Sequence, residues 1–182
     1  MTDQSIDEIF TLLVEFGDVC YGEDVSQMEH SLQCARIALI DGACPELIAA
    51  SLLHDIGQFL NDAGNAAERR GVDARHEVIG ADYLSRYFPK DVTEPVRLHV
   101  EAKRFLCAAE PGYRDSLSAA SGLSLRLQGG PFDEHQSEAF LERPFAQDAI
   151  RLRRFDDQAK RRDWQVPDLD SYVPLLQSLL LV

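Results

Sequence analysis

Apolar residues in this chain recur with the period of a helix and nowhere alternate over a useful length. From about Ser5 to Phe16 the apolar positions are Ile6, Ile9, Phe10, Leu13 and Val14, after which Gly17 and Gly22 break the pattern. Ser26 reads as an N-cap, with Glu29 completing a capping box, for a helix that stops at Gly42. Pro45 opens the next helix, which passes through Ile48, Ala49, Leu52 and Leu53 and ends near Gly57. Residues 61–73 read as a loop. Helices follow from about Arg75 to Tyr87 and from about Thr93, with Pro95 in the first turn, to Leu106. Residues 110–131 read as irregular, punctuated by Gly129, Gly130 and Pro131. Further helices are expected over 133–141 and 145–161, and a last one from near Asp168. The expected class is all-α, a bundle with short connections.

The 182 residues suit a single domain over 1–182. A formal net charge of −13 opposes loose binding to nucleic acid or an anionic membrane. Cys20, Cys34, Cys44 and Cys107 form no CxxC pair and read as reduced thiols, which with the polar N-terminus points to a cytoplasmic protein. The acidity is uneven. No Lys or Arg precedes Arg36, whereas Arg151, Arg153, Arg154, Lys160, Arg161 and Arg162 crowd together near the C-terminus. Most of that cluster reads as a solvated helix face.

Four of the five histidines, His30, His54, His76 and His99, are spaced by 24, 22 and 23 residues. Each falls on a different expected helix or at its start, so a bundle can bring them together. Taken singly, each is an ordinary surface or core histidine. His54 differs because Asp55 follows it directly, between apolar Leu53 and Ile56. A carboxylate there is costly to bury without a cation, and the imidazole–carboxylate pair suits Fe, Mn or Zn. His135 lies in a polar segment and is expected to be exposed.

The Leu52-Leu53-His54-Asp55-Ile56-Gly57 core, with His30, His76, His99 and a late aspartate, resembles the HD-domain superfamily of metal-dependent proteins over roughly residues 20–160. Ser26-Gln27-Met28-Glu29-His30, the stretch from Thr93 to Cys107, Leu125 to Pro131, and Arg151 to Asp157 are similar to the HD-domain oxygenases of phosphonate catabolism. The resemblance implies an all-α HD bundle with a mixed-valent di-iron centre, Fe(II)/Fe(III), inside it. It implies O2 as co-substrate and cleavage of the C–P bond of a 1-hydroxy-2-aminoethylphosphonate or its N-trimethyl analogue, giving phosphate with glycine or glycine betaine. It also implies six ligands: His30, His54, Asp55 as bridge, His76, His99 and Asp156.

Asp156 and Asp157 point about 100° apart on a helix, so one of them faces the metals. The place of Asp156 after Arg153-Arg154-Phe155 favours it, with Asp157 on the surface. Lys103, four residues after His99, shares its face and suits a dianionic phosphonate. Arg153, three residues before Asp156, offers a planar fork to the same group. Ser121 or Ser124 could add a hydroxyl. Glu23 and Tyr21, in a glycine-flanked loop, suit the cationic end of such a substrate. Asp55 and Lys103 are the expected catalytic groups. The main rival is a metal-dependent phosphohydrolase acting on a nucleotide or other phosphate ester. A non-catalytic module binding a small phosphorylated ligand is the third reading.

Overall fold

The computed structural model describes residues 4–20, 25–60 and 71–181. Among these there are ten α-helices, two short 3-10 turns and no strand. Helix α1 spans Gln4–Phe16, α2 Gln27–Ile40, α3 Pro45–Leu53, α4 His76–Leu84 and α5 Lys90–Ala109. Then come α6, Tyr113–Ser116, α7, Ala119–Leu127, α8, Glu134–Leu141, α9, Ala146–Gln158, and α10, Val173–Leu179. The 3-10 turns are Ile56–Gln58 and Leu169–Tyr172.

Local chemistry explains most boundaries. Ser26 caps α2 reciprocally with Glu29: the Glu29 amide donates to Ser26 Oγ at 3.2 Å, and the Ser26 amide donates to Glu29 Oε2 at 2.8 Å. Gly42 follows the end of that helix at φ +69°, where the Gly42 and Ala43 amides return to the Leu39 and Ala38 carbonyls. Pro45 sits in the first turn of α3.

Three expectations are corrected. Helix α5 starts at Lys90, after Pro89, and carries Pro95 in its interior; the helix has already begun before the residue that the sequence suggests as its opening. Residues 110–131 contain helices α6 and α7 rather than irregular chain, Ser118 capping α7 by accepting from the Ser121 amide. Val14, grouped with the apolar stripe of α1, is 65% exposed, while Ile6, Ile9 and Leu13 are buried.

The centre is built from α2, α3, α4, α5 and α9, with α5 packed against α3, α4 and α9. Ala35, Ala49, Leu52, Leu53, Ala81, Val96 and Leu152 are wholly buried there. Small side chains let these helices approach closely, and the functional side chains project into the space between them. Gly57 has a separate task. A Cβ on it would lie 2.0 Å from the His76 carbonyl oxygen and 2.6 Å from the Gly80 amide. Its role is close backbone approach, which seats the His54–Asp55 turn directly against the start of α4. No described helix is long and apolar enough to cross a membrane, and the four cysteines are unpaired.

Candidate metal centre

Five elements each deliver part of one cluster. His30 comes from α2, His54 and Asp55 from the end of α3, His76 from the first residue of α4, His99 from α5 and Asp156 from α9. All but half-buried His76 are 8% exposed or less. Asp55 stands at the middle. Its Oδ2 lies 3.6 Å from His54 Nε2 and 3.9 Å from His30 Nε2, and its Oδ1 lies 3.3 Å from His76 Nε2. Two triads result, His30–His54–Asp55 and Asp55–His76–His99, sharing the aspartate with one oxygen turned to each. Asp156 Oδ1 adds to the first triad, 3.4 Å from His30 Nε2.

The imidazoles are aimed. Nδ1 of His30, His54 and His99 donates to the carbonyls of Ala159, Ser51 and Val96 at 2.8, 3.0 and 2.7 Å. That tautomer leaves the Nε2 lone pairs turned inward. His30 and His54 Nε2 are 3.3 Å apart, and His76 and His99 Nε2 are 3.2 Å apart. Two nitrogens each about 2.1 Å from one ion, at right angles, would be about 3 Å apart, so these pairs have the separation of neighbouring metal ligands.

Charge agrees with geometry. Burial alone would raise the Asp55 carboxyl, but His54, His76 and His30 hold it well below the usual carboxylate range. Burial likewise opposes ionisation of Asp156, and Arg153 and His30 reverse that. Burial lowers His54 and, helped by the neighbouring imidazoles His76 and His54, His99. In His30 and His76 burial is outweighed by Asp156 and Asp55 respectively, and both are raised. Ionised carboxylates surrounded by inward nitrogen lone pairs are a set of donors suited to divalent or trivalent cations.

A cavity of about 90 Å³ opens beside the cluster, lined by His30, Asp55, His76, His99 and Asp156. Lys103, Arg153, Lys160, Ser121 and Ser124 line it too. Lys103 is 3% exposed and donates to Ser124 Oγ at 2.8 Å. Burial, and then the nearby Arg153 charge, depress its ammonium to about 7. Lys160 Nζ lies 3.3 Å from both Ser118 Oγ and Ser121 Oγ. Arg153 is held on every side. Nη1 donates to Asp156 Oδ2 at 2.6 Å, Nη2 to Asp157 and to Ser121 Oγ at 3.4 Å, and Nε to the Tyr113 hydroxyl at 3.2 Å.

The structure therefore brings together His30, His54, Asp55, His76, His99, Asp156, Lys103, Arg153, Ser121 and Ser124. Tyr21 and Glu23 lie outside the described residues. His135 is exposed, and Arg154 pairs with Glu110 at the surface. Asp157 departs from its expected surface position: it is half-buried, accepting from Arg153 and from the Tyr113 hydroxyl. Lys160 was one of six basic residues without distinction in the sequence. It lies just past Gln158, the last residue of α9, so helical spacing from Asp156 does not mark it; its place depends on how the chain leaves the helix. Tyr113 carried no signal, since its helix was not expected.

An all-helical bundle whose interior holds two His/Asp triads sharing one aspartate is a class of fold with a built place for metal. The chain belongs to the HD-domain family, whose model matches residues 28–136. Among its relatives, a hydroxymethylphosphonate dioxygenase of Gimesia maris is 42% identical over 178 residues, covering 97% of this chain and 89% of that one. A [1-hydroxy-2-(trimethylamino)ethyl]phosphonate dioxygenase (glycine-betaine-forming) of Leisingera caerulea is 42% identical over 165 residues, covering 90% and 84%.

Proposed function

We propose that the protein is a di-iron oxygenase that uses O2 to cleave the C–P bond of a 1-hydroxyalkylphosphonate. The observation that carries this reading is the pairing of two triads about Asp55 with cationic side chains lining the same cavity, in a chain 42% identical to two phosphonate dioxygenases. The substrates named for those relatives share a hydroxyl on the carbon bonded to phosphorus and differ only in what else that carbon bears. The charge of Lys103 and Lys160 suits the shared part.

His30, His54, Asp55 and Asp156 would hold one iron, and Asp55, His76 and His99 the other. The iron pair, mixed-valent, supplies the redox chemistry with O2 that the side chains lack. The second position has fewer protein ligands, which leaves room for substrate there. Lys103 and Lys160 neutralise the phosphonate oxygens, and Ser121 and Ser124 donate hydroxyl hydrogen bonds to them. Arg153 keeps Asp156 ionised and oriented, its own guanidinium held by Asp156, Asp157, Ser121 and Tyr113. Lys103, depressed to about 7 in the free protein, takes up a proton as the dianion binds. The departing phosphate then leaves a site whose cation count matched it.

The test is phosphate release by the reduced, iron-loaded protein from hydroxymethylphosphonate, 1-hydroxy-2-aminoethylphosphonate and its trimethyl analogue, with and without O2. Release from at least one of them only in the presence of O2, with about two irons per chain, is expected. Release without O2, or turnover of phosphate esters with Mg alone, would make the protein a phosphohydrolase instead.

A further inference from the structure

His76 is anchored unlike the other three imidazoles. Where His30, His54 and His99 each donate Nδ1–H to a backbone carbonyl within 3.0 Å, His76 Nδ1 faces a carboxylate, Oε2 of Glu77, at 3.8 Å. Glu77 is 8% exposed, and Oε2 has no hydrogen-bond partner among the described residues. A buried carboxylate oxygen with nothing to accept from is costly to hold. The ion-pair partner the structure gives it is His76 Nδ1. Closing 3.8 Å to a hydrogen bond of about 2.8 Å needs a displacement of about 1 Å, within reach of a glutamate side chain.

The two metal positions also differ in charge. The His30–His54 position has Asp156 beside the shared Asp55, while the His76–His99 position has Asp55 alone. A carboxylate behind His76 is a counterweight to Asp156, delivered through an imidazole instead of directly. A carboxylate on the outer nitrogen makes the inner one more basic than a carbonyl does and fixes the ring's orientation.

We propose that Glu77 is the positioning residue of the His76–His99 metal position, accepting the Nδ1 proton of His76 and raising that ligand's electron donation. This rests on the di-metal reading above. Glu77→Gln keeps the shape and converts the anchor to an amide carbonyl, like the other three; Glu77→Ala removes it.

The protein is loaded anaerobically with Fe(II), release to a chromogenic chelator is followed, and the midpoint potential of the iron pair is titrated. Wild type should hold two irons. Glu77→Gln should release one of the two about 10- to 100-fold faster, leave the other at the wild-type rate, and shift the midpoint to more positive potential. Glu77→Ala should release the same iron at least as fast. Wild-type rates and potential in Glu77→Gln would overturn the proposal. So would equal acceleration of both irons, which marks a packing fault. A wild-type protein that holds no iron pair would overturn the di-metal reading, and this inference with it, on the wild-type arm alone.

Discussion

Lys103→Met should make the metal-free protein more stable while disabling it. Lys103 is 3% exposed and its ammonium is depressed from 10.5 to about 7. At 1.36 kcal/mol per unit, holding that charge in the fold costs on the order of 5 kcal/mol relative to water. Methionine is close in length, fills the same space and carries no charge. The pH dependence identifies the source. Below pH 7 the lysine is protonated in both folded and unfolded chains, and the cost is felt in full. Between about 7 and 10.5 the unfolded chain binds one more proton than the native one, so wild-type stability rises with pH. The advantage of Lys103→Met should therefore be about 3–5 kcal/mol at pH 6 and shrink to about 2 kcal/mol at pH 9. Urea unfolding of chelator-treated wild type and variant from pH 6 to 9 measures it. The iron-loaded variant should bind the hydroxyphosphonate weakly. A variant less stable than wild type at pH 6, or a difference that does not change with pH, would refute the reasoning. It would mean that Asp156, Asp157 and Asp55 compensate the ammonium fully.

Other substitutions probe separate parts of the centre. Asp55→Asn should lower bound iron from two per chain to one or none by elemental analysis, because both positions depend on that carboxylate; retention of two would argue against a bridge. Lys160→Met should raise KM about 10- to 100-fold with little change in kcat, the loss of one charge-assisted hydrogen bond to substrate; an unchanged KM would place Lys160 outside the substrate site. Gly57→Ala should cost about 3 kcal/mol or more in unfolding experiments, since its Cβ meets backbone atoms of His76 and Gly80 that cannot step aside. A mild effect on stability with intact iron content would show that the turn can be seated another way. Arg154→Ala, at the exposed Glu110 pair, should leave both stability and turnover near wild type.

Much of this was legible in the sequence because periodic burial and metal ligation both leave local marks. The stripe Ile6–Ile9–Leu13, the Ser26–Glu29 box and the Pro45 start are local rules, and the structure keeps them. The His-Asp pair stood out because a carboxylate between Leu53 and Ile56 has no comfortable explanation but a cation. What was hidden depends on tertiary contact. The start of α5 before Pro95 is set by packing against α3, α4 and α9, which overrides the usual preference of proline for a first turn. Helix α6 is a single polar turn, and α7 mixes Ser121, Gly122, Ser124 and Arg126 with its leucines, so neither shows a clear apolar stripe. Tyr113 and Asp157 matter only because α6 meets α9 across the Arg153 guanidinium. Glu77 looked like an ordinary first-turn acid beside His76, and only its burial separates it from Glu46 or Asp91 in the same helical position.

A net charge of −13 opposes the approach of a dianionic substrate. The structure separates the two by depth. Lys103 and Arg153 are both 3% exposed and Lys160 is half-buried, so their fields act where water screens little, whereas most of the carboxylates lie on the outside. A dianion gains at the pocket floor what it loses crossing an acidic surface, and the surface term alone weakens with salt. Asp156 and Asp157 keep the floor from being merely cationic by holding Arg153, and in the proposed reading Lys103 and Lys160 are the groups that meet the phosphonate. In the metal-free protein Lys103 is the sharper of these, since burial and then Arg153 depress its ammonium to about 7, and an anion placed beside it would favour the charged form.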